Sequence, residues 1–243
     1  MKNKFNFLLL LCLAFTGLQA QAQERLDPYY PYSKFTVGIN AGMSQVYGDL
    51  GKWHPQLVYK FNVARNVNEW VNLNVDAMHG ALNPYSGSKG WTTGVESYNE
   101  FTSVALTGNI SIGEIFNWPN NWIEKNIYGL YFGAGVGVLN NNITSITNKF
   151  KPTDRFPISY YYPNATGGNS NTAFIPVNVG INLHLTRVVM FNACYQICYT
   201  FSDYVDGYNF KNVKSNQFND IFATATIGLH FYIGTTSMSP NRL

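Results

Sequence analysis

From residue 35 onward the chain alternates apolar and polar positions with a period of two, which marks strands with one apolar face. Phe35, Val37, Ile39, Ala41 and Met43 alternate with Thr36, Gly38, Asn40 and Gly42. The same alternation recurs over 57–63, 71–77, 104–112, 128–138, 175–184, 189–200 and 221–233, giving eight segments in all. Most are close to the 9–11 residues that a tilted strand needs to cross a bilayer. In all eight segments the apolar face carries no Asp, Glu, Lys or Arg. The opposite face is mostly Asn, Thr, Ser and Gly.

Such a set closes into a barrel in one of two ways. A soluble barrel puts the apolar face inside and wets the other, and wetted strands usually carry Lys, Glu and Arg. Here the second face is small and almost uncharged, as suits the narrow interior of an eight-stranded barrel. An apolar band without charge suits lipid, where a mid-bilayer Arg or Lys costs about 2–4 kcal/mol. An even number of strands also leaves no open edge. The pattern therefore predicts an all-β protein, an eight-stranded antiparallel transmembrane β-barrel over 34–234.

Connection lengths agree. Residues 65–69 and 186–187 are short links and 113–125 is a moderate one. The links 45–55, 83–99, 140–172 and 201–218 are long. Short and long alternate, so one barrel end carries turns and the other carries long loops, expected to be extracellular. Within the third long link, 143–146 and 158–161 are strand-like and can extend strands 5 and 6 as a hairpin. Trp70, Trp122 and Tyr128 at the turn end, and Tyr47, Trp53, Tyr98, Phe101, Tyr199 and Phe201 at the loop end, are expected to form two aromatic girdles.

Composition narrows the setting. At 243 residues the chain suits one large β domain, and its mean hydropathy of −0.12 excludes a bundle of apolar helices. Charged residues make up 12%, about half the usual share. Residues 1–22 read as a secretory signal peptide, with Lys2 and Lys4, an apolar run from Phe5 to Leu18, and the cleavage pattern Ala20-Gln21-Ala22. That run is too short to span a bilayer as a helix. Cys12 lies inside it with no small residue just before, so lipidation is not expected. Without Lys2 and Lys4 the net charge falls from +3 to 3 − 2 = +1, which excludes nucleic acid as an expected partner. Residues 23–33 are then a periplasmic N-terminal segment and 235–243 a short periplasmic tail.

Three motifs resemble those of the OmpA-like superfamily of eight-stranded outer-membrane barrels, in particular the Bacteroidota type. Gly48-Asp49-Leu50 follows strand 1, as in small barrels that include the type IX secretion-associated group. Asp203-Tyr204-Val205-Asp206-Gly207 opens the fourth loop, and Asn219-Asp220 precedes the last strand. Thr226-x-Gly228-x-x-Phe231-x-Ile233 is similar to the terminal signal read by outer-membrane assembly machinery. The resemblance covers about 34–234, and nine residues follow the last strand, unlike many such barrels. No peptidoglycan-binding domain follows the barrel in this sequence, so that anchoring role is not implied.

Candidate chemistry is sparse. A lumen polar network of Lys60, Asn62, Asn72, Asn74, Asp76, His184 and His230 follows from strand parity. The short link between strands 2 and 3 places Lys60 opposite Asn74 and diagonal to Asp76, which predicts an ion pair. Cys194 and Cys198 are four residues apart on one strand face, about 13–14 Å, too far for a disulfide. They read as structural thiols. Gly129, Gly133, Gly135 and Gly137 lie at period two inside a strand, not in a phosphate loop, and make room for Phe174, Met190 or Phe222. Asp203 and Asp206 lack calcium-loop spacing, and no zinc-like spacing occurs among the histidines. His79 with Ser202 or Asp203 is the one loose catalytic combination. No cofactor, metal or enzymatic activity is expected. The expected role is structural or surface-interacting, with outer-membrane lipid, the assembly machinery and an envelope protein as partners. Two alternatives stand beside it: an accessory component of a secretion or assembly complex acting through 114–125, and a small pore or lipid-binding barrel.

Overall fold

The computed structural model describes residues 32–47, 54–67, 71–83, 95–111, 129–148, 168–186, 188–202, 205 and 219–237. They form eight strands: β1 Tyr32–Tyr47, β2 Gln56–Asn66, β3 Val71–Leu82, β4 Val95–Ser111, β5 Leu130–Asn148, β6 Gly168–His184, β7 Val189–Thr200 and β8 Ile221–Ser237. Each strand pairs antiparallel with the next, and β8 returns to β1, closing the barrel.

The register fixes the bore. Crossing from Phe35 through Arg65, Leu73, Gly108, Ala134, Val177, Ile197 and Ala223 returns to β1 at Gln45, a shear of 45 − 35 = 10. With about 3.3 Å per residue and about 4.8 Å between strands, that shear tilts the strands by about 40° and sets a backbone radius of about 8 Å. Side chains alone fill such a space.

The apolar face points outward all the way round. Ile39, Leu57, Val75, Leu106, Val136, Val177, Ile197 and Ile227, one from each strand, are exposed. Val136 keeps 64% of its surface free. Charge on the outer wall stands at the margins, with Arg65 at the turn end of β2 and Glu100 towards the loop end of β4. Nor is the outer face of β8 flat. Ala223 points outward yet is only 3% exposed, because Tyr47 and Tyr195 reach towards each other across Ala223 and Ala225 and share a hydrogen bond.

Strand ends differ from the sequence expectation. The ladder begins at Tyr32↔Ser237 and Ser33↔Thr236, so the barrel extends beyond 34–234 at both termini of the chain. Residues 32–33 leave the expected N-terminal segment and 235–237 leave the expected tail. Backbone N–H and C=O groups continue pairing where the apolar alternation has already stopped. At the loop end, 143–146 does extend β5, with Ile143 opposite Asn99 and Ile146 opposite Ser97. The stretch 158–161 lies outside the described residues. β4, β5 and β6 therefore stand above their neighbours. Their upper outer face is polar, with Asn140 donating to Asn171 at 2.7 Å and His79 bonded to Thr102 at 3.0 Å.

The turn end is tight. Val67 N–H donates to the Val71 carbonyl at 2.9 Å. Between β6 and β7, the Thr186 hydroxyl accepts from the N–H groups of Val188 at 3.2 Å and Val189 at 2.9 Å, replacing bonds the turn backbone cannot make. Phe101, expected in a girdle, instead faces the lumen at 1% exposure. Asn99, Phe101 and Ser103 share one parity with Ala105 and Thr107 on the inner face of β4, and the register shift opposite Tyr98/Asn99 leaves Thr144 of β5 as the extra residue. Trp53, Trp70, Trp122 and Tyr128 lie outside the described residues.

Candidate functional site

The lumen divides into two layers. Its turn-proximal half is polar, built by alternate residues of all eight strands. At its centre Lys60 Nζ lies 3.3 Å from Asp76 Oδ2 and donates to Gln196 Oε1 at 3.2 Å. Thr107 Oγ1 donates to the same Asp76 oxygen at 3.3 Å. Two opposite charges removed from water destabilise a fold unless they are paired and further hydrogen-bonded. Here the pair draws its extra partners from the adjacent β4 and, across the barrel, from β7.

The ion pair forms as expected, but on a different register. Lys60 stands opposite Met78, not Asn74, and Asp76 stands opposite Asn62. Lys60 remains diagonal to Asp76. The turn lies further along the chain than the sequence suggests, moving Lys60's partner by 78 − 74 = 4 residues. An even slip keeps every side chain on its face, so the hydrophobic pattern cannot detect it.

Other predicted members take separate places. Asn74 donates to Asn72 at 2.8 Å, and His230 Nε2 lies 3.2 Å from Asn40 Oδ1. Asn62 is buried beside the pair. His184 pairs with Met190 in the ladder, and its side chain lies outside what is described. Residues of this layer not foreseen in it include Asn40, Thr107, Asn109, Tyr131, Asn178, Asn192 and Gln196. Asn192 Nδ2 bonds Tyr131 Oη at 3.0 Å, and Asn178 Nδ2 reaches Asn109 Oδ1 at 3.5 Å. Their inward parity was visible, but cross-barrel partners depend on shear, which one strand cannot reveal.

The loop-proximal half is apolar. Val46, Val58, Met78, Leu82, Phe101, Leu139, Phe174, Cys198, Val205 and Phe222 form one buried cluster. Phe222 is the hub, with ring centroids 5.4 Å from Phe101 and 5.9 Å from Phe174. The Phe174 ring occupies the space that a side chain at Gly137 would need, its Cε1 2.6 Å from where a Cβ would sit. Of the glycine run, Gly137 serves the packing role expected of it, whereas Gly133 makes room for Asn109, and Gly129 and Gly135 lie against the backbone of the neighbouring strand. Cys194 and Cys198 are both free thiols, and Cys198 accepts from Gln196 Nε2 at 3.4 Å.

From the fourth link, Val205 packs into the top of the lumen. Val205 is fully buried; its N–H donates to Asp220 Oδ2 at 2.7 Å, and its carbonyl accepts from Asn99 Nδ2 at 2.8 Å. Asn99 also donates to Asn141 Oδ1. Thr200 Oγ1 donates to the Asp220 carbonyl at 2.7 Å, and Asn219 Nδ2 to Tyr199 Oη at 3.1 Å. Of the motif residues, Asn219 and Asp220 anchor this loop. Gly48, Asp49, Leu50, Asp203, Tyr204, Asp206 and Gly207 lie outside the described residues. On β8, Thr226 and Gly228 face the lumen while Phe231 and Ile233 face outward. His79 and Ser202 sit on opposite sides of the barrel, so they form no catalytic pair.

No family model matches the chain. No curated protein matches it either. Solved barrels do resemble it. Neisserial surface protein A shares 11% identity over 83% of this chain and 98% of its own, with a TM-score of 0.49. Ail of Yersinia pestis shares 9% over 82% and 97%, with a TM-score of 0.46. The outer membrane protein OprG from Pseudomonas aeruginosa shares 8% over 84% and 98%, with a TM-score of 0.38. No residue role passes from them to this chain.

Proposed function

We propose that this protein is an integral outer-membrane β-barrel, non-catalytic, with a structural or surface-interaction role. One observation carries the reading: a closed eight-stranded wall whose outer face is apolar on every strand, around a packed lumen. Water-facing barrels do not leave such a belt uncovered. The belt's partner is lipid. The long connections at the loop end face outward from the cell and supply the interaction surface. The leader 1–22 directs export and is then cleaved, and the β8 pattern Thr226, Gly228, Phe231, Ile233 serves recognition by the assembly machinery. The kinship is with OmpA-like barrels, of the Bacteroidota type. The segment 114–125, through which an accessory role in a secretion complex would act, lies outside the described residues. The packed upper lumen speaks against a pore.

The test is fractionation of the native host. The protein should stay with outer membranes through high salt and carbonate, and migrate differently on gels before and after boiling. N-terminal sequencing should begin at Gln23. Recovery as a detergent-free soluble monomer overturns the reading.

A further inference from the structure

Lipid meets a lone barrel at one depth on every side, so its apolar wall should end at one height all the way round. The register gives those heights. A shear of ten lifts a hydrogen-bonded row by about 25 Å in one circuit, about 3 Å per strand, and each residue along a strand rises about 2.5 Å. Measured from Phe35 of β1, the turn-end margin is level, with Val71 of β3 about 1 Å above and Ile233 of β8 about 3 Å below.

The loop-end margin is not level. On β3, β4 and β5 the outward face turns polar at His79, Thr102 and Asn140, about 22, 25 and 28 Å up, and Glu100 of β4 stands at about 30 Å. On the opposite wall, β7, β8 and β1 still present Phe201, Ile221 and Tyr47 at about 29, 27 and 30 Å. Phe201 keeps 56% of its surface free, Tyr47 43% and Tyr199 42%. The Tyr199 and Phe201 rings meet edge to face, with centroids 5.8 Å apart. Polar atoms of this strip turn to their neighbours. Asn219 Nδ2 donates to Tyr199 Oη at 3.1 Å, Tyr47 bonds Tyr195, and Gln45 is half-buried beside Ala223. Tilting the barrel does not account for the strip, because a tilt would offset the turn-end margin by the same amount.

An apolar strip raised on one wall fits a partner that stands on that wall alone and carries apolar surface at the same height. A second copy meets both conditions by symmetry. A two-fold axis along the membrane normal sets each strip against its own counterpart. We propose that the chain pairs with a second copy of itself through the β7–β8–β1 wall. β8 lies nearest the axis, and Tyr47, Tyr199 and Phe201 flank it. The pairing rests on the membrane placement proposed above.

The test is crosslinking in phosphatidylcholine vesicles, at one chain to so many lipids that random encounters are rare. In a C194S/C198S background, Ile221→Cys marks the strip and Thr102→Cys marks the opposite wall at nearly the same height. Heat-modifiable migration checks that each variant folds. With a short bismaleimide, Ile221→Cys should give at least tenfold more dimer than Thr102→Cys. Adding Phe201→Asn should lower the Ile221→Cys yield at least fivefold. Equal yields from the two positions would overturn the pairing, and a yield unmoved by Phe201→Asn would overturn the strip as its interface. A monomer in vesicles whose Ile221→Cys links only to a different protein in native membranes would overturn the second copy. Insertion separates the two readings: a chain that carbonate extracts sinks membrane placement and pairing together, whereas an inserted monomer sinks the pairing alone.

Discussion

At the residue scale, the Lys60–Asp76 pair sets the sharpest energetic test. Each charge is sheltered from bulk water, and each relies on the other. Removing one partner of such a pair costs about 3–5 kcal/mol because a lone charge stays buried, whereas neutralising both costs far less. Asp76→Asn should therefore lower stability more than Lys60→Gln with Asp76→Asn together, measured by urea unfolding in lipid vesicles. If the double variant proves the weaker of the two, the pair is not the main constraint there. Gly137 gives a steric counterpart. Any side chain at this position meets the Phe174 ring, so Gly137→Val should cost about 1–3 kcal/mol through overpacking. Adding Phe174→Leu should return part of that loss. Failure of this rescue would mean that the glycine matters for the neighbouring backbone and not for the ring.

At the scale of single strands, parity decides the cost of a charge. Leu106 and Thr107 are neighbours on β4, one exposed on the apolar belt and one fully buried beside Asp76. Leu106→Arg should cost about 2–4 kcal/mol in a bilayer, while Glu100→Lys at the polar margin of the same strand should cost about 0–1. Equal penalties in vesicle unfolding would show that the belt does not lie in lipid. Parity is also what the sequence made legible. Every strand was visible as alternation, and the inward placement of Lys60, Asp76, Phe174 and Phe222 followed from it. What parity could not supply was register, because a slip of two or four residues leaves each face unchanged. Hence Lys60 was matched with Asn74 when its true neighbour is Met78. Strand ends were underestimated where pairing runs on through polar residues, as in Asn140–Asn148 of β5. Phe101 was assigned to a girdle as an aromatic near a strand end, although its parity with Ser103, Ala105 and Thr107 already set it on the inner face. The anchor at Asp220 was noticed as a motif, but its hydrogen bond to Val205 joins residues that only loop folding brings together. Asp220→Ala should free that segment, seen as faster proteolysis within 201–218 while the barrel itself stays resistant.

At the scale of the whole molecule, strand number and shear govern transport. Eight strands with a shear of ten leave a backbone radius of about 8 Å, and inward side chains fill it. Small amides and glycines line much of the polar half, while the loop-proximal half carries the bulkiest aromatic side chains. Closure is therefore the work of the loop-proximal stack, where Phe222 holds both Phe101 and Phe174. A purified monomer in a planar bilayer should show no stable, large single-channel steps. Replacing Phe101, Phe174 and Phe222 together by Ala removes the bulk of the seal while leaving the backbone ladder and the ion pair intact. That variant should admit small ions where the native chain does not, provided its heat-modifiable migration shows that it still folds. Large steps from the native monomer would mean a bore wider than this register allows. A folded triple variant that remains silent would place the barrier lower, at Lys60 and Asp76, and would make the ion pair, not the aromatic stack, the closing element of the barrel.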